Sequence, residues 1–187
     1  ALICTALFFM VNTVMEITKD IQKKFAKDYF FIKGKIDIDS DYFIKKIKDG
    51  CNKDNNLNFV TNVQGFMTDF HYFNKDPEFI KIVRKFMNYI DDNFLLPRYH
   101  LLDSWGVEVR ENQKTTFHSH YESLWSGVIY LNSSNQELIF NEIDEKVKPE
   151  KGIFALFSPF LNHGCHVNNE PHSKFGISFN MKESKKW

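Results

Sequence analysis

The second half of the chain is a succession of short extended segments with turns between them, which limits the possible folds more than any other feature. From about Tyr99 onward, apolar and polar residues alternate with the period of a strand. The predicted strands lie near 104–110, 115–120, 125–132, 136–141, 152–158 and 173–181. An unbroken run of strands after a helical first half favours an antiparallel sandwich or barrel backed by helices.

The first half of the chain carries mainly helical patterns. "TVME" (Thr13–Glu16) has the form of a capping box, Ser40 is a candidate helix cap, and Asp76 before Pro77 is a typical helix start. In chain order, we predict a helix over 13–29, a strand over 30–38, a short helix from 40 to about 50, an extended stretch over 59–73 and a helix over 77–93. These elements are expected to support the strand-rich half.

Length and composition are those of one globular domain. The chain has 187 residues, of which 43% are hydrophobic, so it can bury a sizeable core. We predict a single domain over 1–187, with 1–98 as helical and strand support and 99–187 as the strand-rich core. Positive and negative residues balance at 24 each, so no basic excess points to nucleic acid.

The cysteines and the first residues bear on the compartment. Cys4, Cys51 and Cys165 are scattered and lack CxxC spacing, which argues against a disulfide framework and fits a reducing compartment. The opening "ALICTALFFM" is shorter than the roughly 20 apolar residues of a membrane span, and it lacks the basic flank of a signal peptide. We expect a terminal extension that either packs on the domain or is an added sequence, with a cleaved leader as the minority interpretation. We also expect no membrane and a cytoplasmic protein. Frequent Lys, Asn, Ile and Phe residues are typical of an AT-rich genome, such as that of a virus. If the protein is viral, the expected compartment is the cytoplasm of the host.

A pair of histidines in "TTFHSHYESLWSGVIYLN" suggests a metal site. His118 and His120 lie on the same face of a predicted strand, because residues two apart in a strand share a face. Glu122 continues that face if the strand does not break. His163 follows the strand-like "GIFALFSPF" and is predicted in a turn near its end. Two close ligands and one distant ligand leave three coordination positions open, as in non-heme Fe(II) oxygenases; ordinary packing of the histidines is the alternative.

The last predicted strand separates polar from apolar residues. In "SKFGISFNM" one face carries Lys174, Gly176, Ser178 and Asn180, and the other carries Phe175, Ile177 and Phe179. The apolar face can pack against helices outside the barrel. The small polar face with one cation suits a cavity for an anionic ligand, and the alternative is a solvated face with an ordinary lysine.

Two blocks of sequence together resemble the Fe(II)/2-oxoglutarate-dependent dioxygenases. The first is "HSHYESLWSGVIYL" and the second is "LFSPFLNHGCHVNNEPHSKFGISFN". They are most similar to the small phage- and bacterial-type branch related to prolyl hydroxylases. The resemblance covers roughly Trp105 to Asn180, with both blocks in the family's order.

This resemblance implies a fold, two cofactors and a set of site residues. The fold would be α+β, a double-stranded β-helix (a cupin-like jelly roll) with the N-terminal helices on the outer face of the sheet. Fe(II) and 2-oxoglutarate would be the cofactor and cosubstrate. By matching position, His118 is the first metal ligand, His120 occupies the usual Asp position and His163 is the distal ligand. Lys174 falls where the family has the Arg that pairs with the distal carboxylate of 2-oxoglutarate, and Tyr130 matches a tyrosine that hydrogen-bonds it.

The chain departs from the family's pattern at three positions. His120 replaces an Asp, so the metal keeps its full charge, and Glu122 is a rival ligand because His120-x-Glu122 also satisfies a His-x-acid pattern. Lys174 offers a point charge in place of the guanidinium fork, so cosubstrate binding could be weaker or tilted. Gly176 stands where many relatives carry Ser, which removes one hydroxyl contact.

Three further sets of candidates remain. His166 is an alternative distal ligand, and Arg110 and Gln113 are polar residues one strand before the ligands. Trp105, Tyr121 and Trp125 could form an aromatic rim. The "FSPFLNH" register favours His163 over His166 as the ligand, and the simpler interpretations of the others are a solvated edge strand and core packing of Trp105.

The expected function is hydroxylation of a C–H bond with consumption of O2 and 2-oxoglutarate and release of succinate and CO2. The prime substrate could be a protein side chain, a nucleobase or a small molecule. Two alternatives are a cupin-like metal enzyme that does not use 2-oxoglutarate and a non-catalytic binding module.

Overall fold

The computed structural model describes residues 22–26, 29–51 and 62–185. In these ranges the chain forms two α-helices, one short 3-10 helix and twelve strands. In chain order they are β1 (Gln22–Ala26), β2 (Tyr29–Lys35), α1 (Ser40–Gly50), β3 (Val63–Gln64), β4 (Phe66–Met67), α2 (Pro77–Asn93), β5 (Tyr99–Val109), β6 (Lys114–His118), β7 (Trp125–Tyr130), β8 (Leu138–Phe140), the 3-10 helix (Asn141–Ile143), β9 (Glu145–Val147), β10 (Ile153–Phe157), β11 (His163–Cys165) and β12 (Lys174–Glu183).

The strands form two antiparallel sheets. The larger has the order β1-β2-β10-β7-β12-β5-β4, and the smaller has the order β3-β6-β11-β8-β9. Strands distant in sequence are neighbours in both sheets, since β12 lies between β7 and β5, and β11 lies between β6 and β8. The predicted α+β architecture, a jelly roll backed by helices, is therefore confirmed.

Both helices pack on one face of the larger sheet. Phe43 and Ile47 of α1 and Phe79 of α2 are buried in one cluster with Ile177 and Phe179 of β12. α2 begins as predicted, because the Asp76 carboxylate accepts from the main-chain N–H groups of Glu78 and Phe79 at 3.1 and 3.0 Å. None of the helices in the described ranges is long and apolar enough to cross a membrane.

A second core fills one end of the space between the sheets. It contains Phe31, Phe140 and Phe157, with Phe140 in edge contact with both other rings at 5.0 and 4.9 Å. The rest of that space is a cavity. The polar face of β12 lines it, as the alternation predicted, with Lys174, Gly176, Ser178 and Asn180.

Two predictions in the first half of the chain are wrong in part. The predicted helix over 13–29 gives way to β1 at residues 22–26, where Gln22 pairs with Lys33 of β2; residues 13–21 lie outside the described ranges. A sheet edge offers these residues main-chain partners that the local helical spacing does not reveal. α1 is capped by Asp39 rather than Ser40, because the Asp39 side chain accepts from the Tyr42 N–H at 3.1 Å.

The strand predictions in the second half agree with the structure except at the end of β6 and for the shortest elements. The strand predicted over 115–120 ends at His118, so His120 lies beyond it and not on its face. β9 and β11 were not predicted, and each has only three residues. His163, expected in a turn, is the first residue of β11. A three-residue strand is too short to show a period, so only its pairing partners identify it. The predicted extended stretch over 59–73 is partly outside the described ranges, and its last residues form turns after β4.

Candidate active site

Strand pairing brings two of the predicted histidines together. His118 ends β6, His163 begins β11, and the two are Cα partners in the antiparallel ladder. Their ring centroids are 4.6 Å apart. Since directly opposed residues project from the same face of a sheet, both imidazoles can line the cavity between the two sheets, and both do.

His120 joins them from the segment that follows β6. Its main-chain N–H donates to the Pro159 carbonyl at 2.6 Å, which holds this segment against the turn that leads into β11. The His120 ring centroid is 4.8 Å from that of His118 and 5.1 Å from that of His163. The ligand nitrogens of the three residues all lie within 4.8 Å of one another.

The spacing of the nitrogens fits a shared metal ion. The Nε2 atoms of His120 and His163 are 3.3 Å apart. Metal–imidazole bonds of about 2.0–2.1 Å place two neighbouring ligand nitrogens about 2.9–3.4 Å apart. Imidazole nitrogens suit Fe(II), Zn(II) and other first-row divalent ions.

Main-chain carbonyls orient two of the three imidazoles. Nδ1 of His118 lies 2.8 Å from the Thr116 carbonyl oxygen, and Nδ1 of His163 lies 2.8 Å from the Leu161 carbonyl oxygen. A carbonyl only accepts, so each Nδ1 carries the proton and each Nε2 keeps a free lone pair. Such hydrogen bonds hold a ligating imidazole in the tautomer and orientation that a metal requires.

Burial keeps the three imidazoles neutral. It lowers the pKa of His120 to about 4 and that of His163 to about 3, and it also lowers the pKa of His118. The positive charge that a neighbouring imidazole would carry adds to the effect at His120 and His163. Since a metal competes with protons for the same lone pairs, neutral imidazoles are ready to ligate at pH 7.

The rival ligands lie outside this group. Glu122 would share a face with the histidines only if the strand continued to it. β6 instead ends at His118 and the chain then turns, which leaves Glu122 exposed. His166 is also exposed, with its ring 6.1 Å from that of Phe117. Among the described residues, the group of possible metal ligands consists of His118, His120 and His163.

Lys174 is a buried cation at another part of the same cavity. Its side chain is 5% exposed, and Nζ lies 3.4 Å from both the Gln136 carbonyl oxygen and Cys165 Sγ. Within the described ranges no carboxylate forms an ion pair with it. Burial lowers the pKa of Lys174, so an anion placed beside it would relieve a real electrostatic cost.

Tyr130 and Gly176 lie beside this cation. Tyr130 is 4% exposed and lines the cavity, and Nζ of Lys174 is 5.7 Å from its ring centroid. Gly176 is the cross-strand partner of Tyr130. A Cβ at position 176 would lie 3.2 Å from the Ile129 carbonyl oxygen, so the glycine lets β7 and β12 approach closely.

The other sequence candidates have mixed outcomes. Arg110 pairs with Glu108 at 3.0 Å and lies 3.9 Å over the Phe66 ring, so it does not line the cavity. Gln113 instead accepts from the Arg110 N–H at 2.7 Å. In the predicted aromatic rim, Trp105 lines the cavity, and Tyr121 is 82% exposed.

Trp125 is not part of a rim. It is fully buried in the core beside the helices, 5.9 Å from the Phe179 ring. Sequence reasoning missed Gln136, whose main-chain carbonyl faces Lys174. No pattern around Gln136 signals this, because the contact comes from its main chain.

Solved structures with this fold provide a comparison. The viral collagen prolyl hydroxylase of Paramecium bursaria Chlorella virus-1, in complex with 2-oxoglutarate, matches with a TM-score of 0.67 and 17% identity over 84% of this chain and 97% of that one. HygX of Streptomyces hygroscopicus, with nickel and 2-oxoglutarate bound, matches with a TM-score of 0.62 and 10% identity over 82% and 83%. A Pseudomonas putida prolyl-4-hydroxylase matches with a TM-score of 0.60 and 10% identity over 83% and 93%. They establish that the fold is the double-stranded β-helix.

The sequence itself has no such match. No protein-family model matches the chain, and a comparison with curated proteins finds none that is similar. The solved structures with the same fold nevertheless belong to the class of oxygenase that the two sequence blocks resemble.

Proposed function

We propose that this protein is an Fe(II)- and 2-oxoglutarate-dependent oxygenase that hydroxylates a C–H bond and releases succinate and CO2. The observation that carries the proposal is one cavity with two complementary features. Three neutral imidazoles converge on one point beside the smaller sheet. The ammonium of Lys174, on β12 of the larger sheet, is buried in the same cavity with no carboxylate partner among the described residues. A metal ion satisfies the first and a dicarboxylate satisfies the second.

The spacing between these two features suits a five-carbon dicarboxylate. Lys174 Nζ contacts Cys165 Sγ at 3.4 Å, and Cys165 is two residues from His163 on β11. Residues two apart in a strand share a face and are about 6–7 Å apart. The ammonium therefore lies about one strand repeat from the imidazoles, close enough for one ligand to reach both.

Lys174 would pair with the distal carboxylate of 2-oxoglutarate, and Tyr130 would hydrogen-bond the same group. His118, His120 and His163 would hold Fe(II). When bound, iron and 2-oxoglutarate supply the oxidising chemistry: one oxygen atom of O2 enters succinate and the other enters the substrate. The chain's own contribution is to orient the ligands and to exclude water with apolar walls that include Val107, Leu138 and Phe157.

The solved structures of the same fold support this assignment. Two of them contain bound 2-oxoglutarate, and one of these also contains nickel. The prime substrate is a protein side chain, a nucleobase or a small molecule. We propose a cytoplasmic location, which the free and buried thiols of Cys51 and Cys165 support.

The test is a stepwise anaerobic titration followed by turnover. Fe(II) and then 2-oxoglutarate are added to purified protein without O2, and a visible metal-to-ligand charge-transfer band is expected only when both are present. Admission of O2 should then produce succinate, since such enzymes slowly turn over 2-oxoglutarate without a prime substrate. Lys174→Met should weaken the 2-oxoglutarate-dependent band without loss of metal binding.

Each outcome separates one alternative from the proposal. Metal binding with neither the band nor succinate would indicate a metal enzyme that does not use 2-oxoglutarate. Absence of metal binding by the folded protein would indicate a binding module and refute the proposal.

A further inference from the structure

A thiol and an amine lie next to each other in the cavity, although they belong to different sheets. Cys165 ends β11 of the smaller sheet, and Lys174 begins β12 of the larger one. Sγ of Cys165 and Nζ of Lys174 are 3.4 Å apart. Each residue keeps a small exposed fraction, 4% and 5%, and both line the cavity that the three imidazoles also line. A small solute that enters the cavity therefore reaches both groups.

The segment that joins these two residues is fixed to the fold. Asn168 in its middle is fully buried. The Asn168 main-chain N–H donates to the Gln113 carbonyl at 2.8 Å, and its carbonyl accepts from the Asn112 N–H at 2.8 Å. Its side-chain amide donates to the Val109 carbonyl at 3.3 Å. Because the middle of the segment and the strands at both ends are held, the fold itself sets the separation of the thiol and the amine.

Nζ of Lys174 makes no short hydrogen bond in the described part of the chain. Its contacts with the Gln136 carbonyl oxygen and with Cys165 Sγ are both 3.4 Å long, whereas hydrogen bonds of a charged nitrogen to an oxygen are about 2.7–2.9 Å long. Burial lowers the pKa of Lys174, which favours the neutral amine with its free lone pair. Without an anionic ligand, Lys174 is a buried amine that faces a thiol.

Oxidation of the thiol would make this pair reactive. Hydrogen peroxide converts a thiol to a sulfenic acid and one water molecule, and a sulfenic acid condenses with a neighbouring nitrogen to a sulfenamide and a second water molecule. In the condensation the nitrogen lone pair forms the S–N bond, the S–O bond breaks, and the hydroxyl group leaves with one proton of the amine. Sulfur is oxidised and peroxide is reduced. The separation of 3.4 Å lies within the range of about 3–3.5 Å in which two groups are poised to react.

We propose that Cys165 and Lys174 form an oxidative cross-linking site, in which hydrogen peroxide converts the pair to a sulfenamide between Sγ and Nζ. Formation of the link does not depend on the proposed function, whereas its effect on the cosubstrate rests on that function. Among the described residues that line the cavity, Lys174 is the one with an ammonium or guanidinium group. A sulfenamide nitrogen carries no positive charge, so the linked protein lacks an anchor for the distal carboxylate.

The cross-link and bound 2-oxoglutarate exclude each other. A carboxylate beside Lys174 holds the side chain as an ammonium, which has no lone pair for the reaction. The cosubstrate therefore protects the pair, and the link in turn blocks the cosubstrate, as linkage requires. Two molecules of a thiol reductant return the free thiol and amine and form one disulfide. The pair is thus a reversible switch that stops cosubstrate binding under oxidising conditions.

The test combines peptide mass spectrometry with a binding measurement on the full chain. The protein is loaded with Zn(II), which has no redox chemistry of its own, and is treated with hydrogen peroxide with and without 2-oxoglutarate. Free thiols are alkylated in denaturant, and the chain is digested with trypsin. The unlinked chain yields the peptide 152–174. A link at Lys174 blocks cleavage there and yields the peptide 152–182 with two hydrogen atoms fewer.

We expect the linked peptide after peroxide treatment without 2-oxoglutarate, and its loss after dithiothreitol. Saturating 2-oxoglutarate should suppress it. Cys51 is an internal control, because it is buried in the core beside the helices and should be recovered as the alkylated thiol. In Lys174→Arg the guanidinium stays protonated, so Cys165 should stop at the sulfenic acid, which dimedone traps.

Isothermal titration calorimetry of the Zn(II)-loaded protein measures the consequence of the link. Peroxide should weaken 2-oxoglutarate binding about 10- to 100-fold, as the loss of a hydrogen bond to a charged group does, and dithiothreitol should restore it. In Cys165→Ser, peroxide should leave the dissociation constant unchanged. If this variant does not fold, the reversal by dithiothreitol on the unchanged chain decides.

Recovery of Cys165 after peroxide as an intact thiol, or as an oxidised cysteine in a peptide that ends at residue 174, would overturn the cross-linking site. A linked peptide with unchanged affinity for 2-oxoglutarate would support the site and count against the role of Lys174 in the proposed function. Failure to bind Zn(II), with the linked peptide still formed, would count against the proposed function alone.

Discussion

His118 and His163 are direct partners across two antiparallel strands, with ring centroids 4.6 Å apart. The ladder therefore sets the separation of two candidate metal ligands, and main-chain carbonyls set their tautomers. Such a pair is rigid before any metal binds, so metal binding requires little reorganisation. The third imidazole comes from a less regular segment, which makes its assignment the most informative to test.

His120 rather than Glu122 is expected to be the third metal ligand. His120→Ala should weaken Fe(II) or Co(II) binding by about 100-fold or more, because it removes one of three nitrogens that face the metal. Glu122→Ala is the matched control, since this side chain is exposed two residues away and should leave affinity within about 2-fold. Anaerobic isothermal titration calorimetry measures both. A larger loss in Glu122→Ala than in His120→Ala would reverse the assignment.

The metal-free protein should lose stability as the pH falls. Burial lowers the folded-state pKa of His120 to about 4 and that of His163 to about 3, from the ordinary 6.5. Below pH 6.5 the unfolded chain therefore binds protons that the folded chain does not. The free energy of unfolding should fall by up to about 1.4 kcal/mol per pH unit for each of these histidines between about pH 6.5 and 4.

Urea unfolding at several pH values measures this effect, and His163→Asn isolates one contribution. The variant lacks one titrating group, so its stability should depend less steeply on pH than that of the unchanged chain. Identical slopes for the two proteins would show that His163 titrates normally in the folded state.

Lys174→Met should weaken 2-oxoglutarate binding about 10- to 100-fold, because a hydrogen bond to a charged group contributes about 1.5–3 kcal/mol. Methionine has a similar length without the charge. The titration of the anaerobic charge-transfer band with 2-oxoglutarate gives the dissociation constant. Lys182→Met, on the more exposed end of the same strand, is the control. Equal dissociation constants for Lys174→Met and the unchanged chain would exclude this lysine from cosubstrate binding.

The same Lys174→Met change should stabilise the ligand-free protein. The ammonium is buried without a carboxylate partner among the described residues, so its replacement by an apolar side chain removes a desolvation cost. We expect a higher Tm without 2-oxoglutarate and a smaller rise in Tm on its addition. A lower Tm without ligand would mean that the contacts with Gln136 and Cys165 stabilise the fold.

Gly106→Ala should destabilise the fold by about 1–3 kcal/mol, as overpacking of a core does. A Cβ at this position would overlap the Ile47 side chain of α1. Metal affinity should stay unchanged in protein that is folded, since the added methyl group faces the helices. Urea unfolding and calorimetry check the two parts. Unchanged stability would show that α1 can move away from β5 at little cost.

Several features of the site were predictable from local sequence. Alternation alone places Lys174 and Asn180 on one face of β12 and Ile177 and Phe179 on the other, because successive side chains of a strand point to opposite faces. The prediction that this polar face lines a cavity is confirmed. The Asp76–Pro77 start of α2 is also local, since a cap and a proline at the first helical position need no tertiary partner.

Other features depended on partners distant in sequence. Residues 22–26 are a strand because β2 offers main-chain partners, and Trp125 is in the core because helices cover that face of the sheet. His163 is in a strand rather than a turn because β6 and β8 flank it.

By itself the sequence determined which side chains of one strand share a face, as the cation and the amide of "SKFGISFN" do, since strand geometry fixes alternation within a few residues. The tertiary structure alone decided which of these faces meet. The end of β6 at His118, the pairing of His118 with His163 and the burial of Lys174 without a carboxylate in the described ranges all depend on contacts between distant segments. Such contacts follow from how the two sheets and the helices pack to bury apolar surface, and no local pattern specifies them.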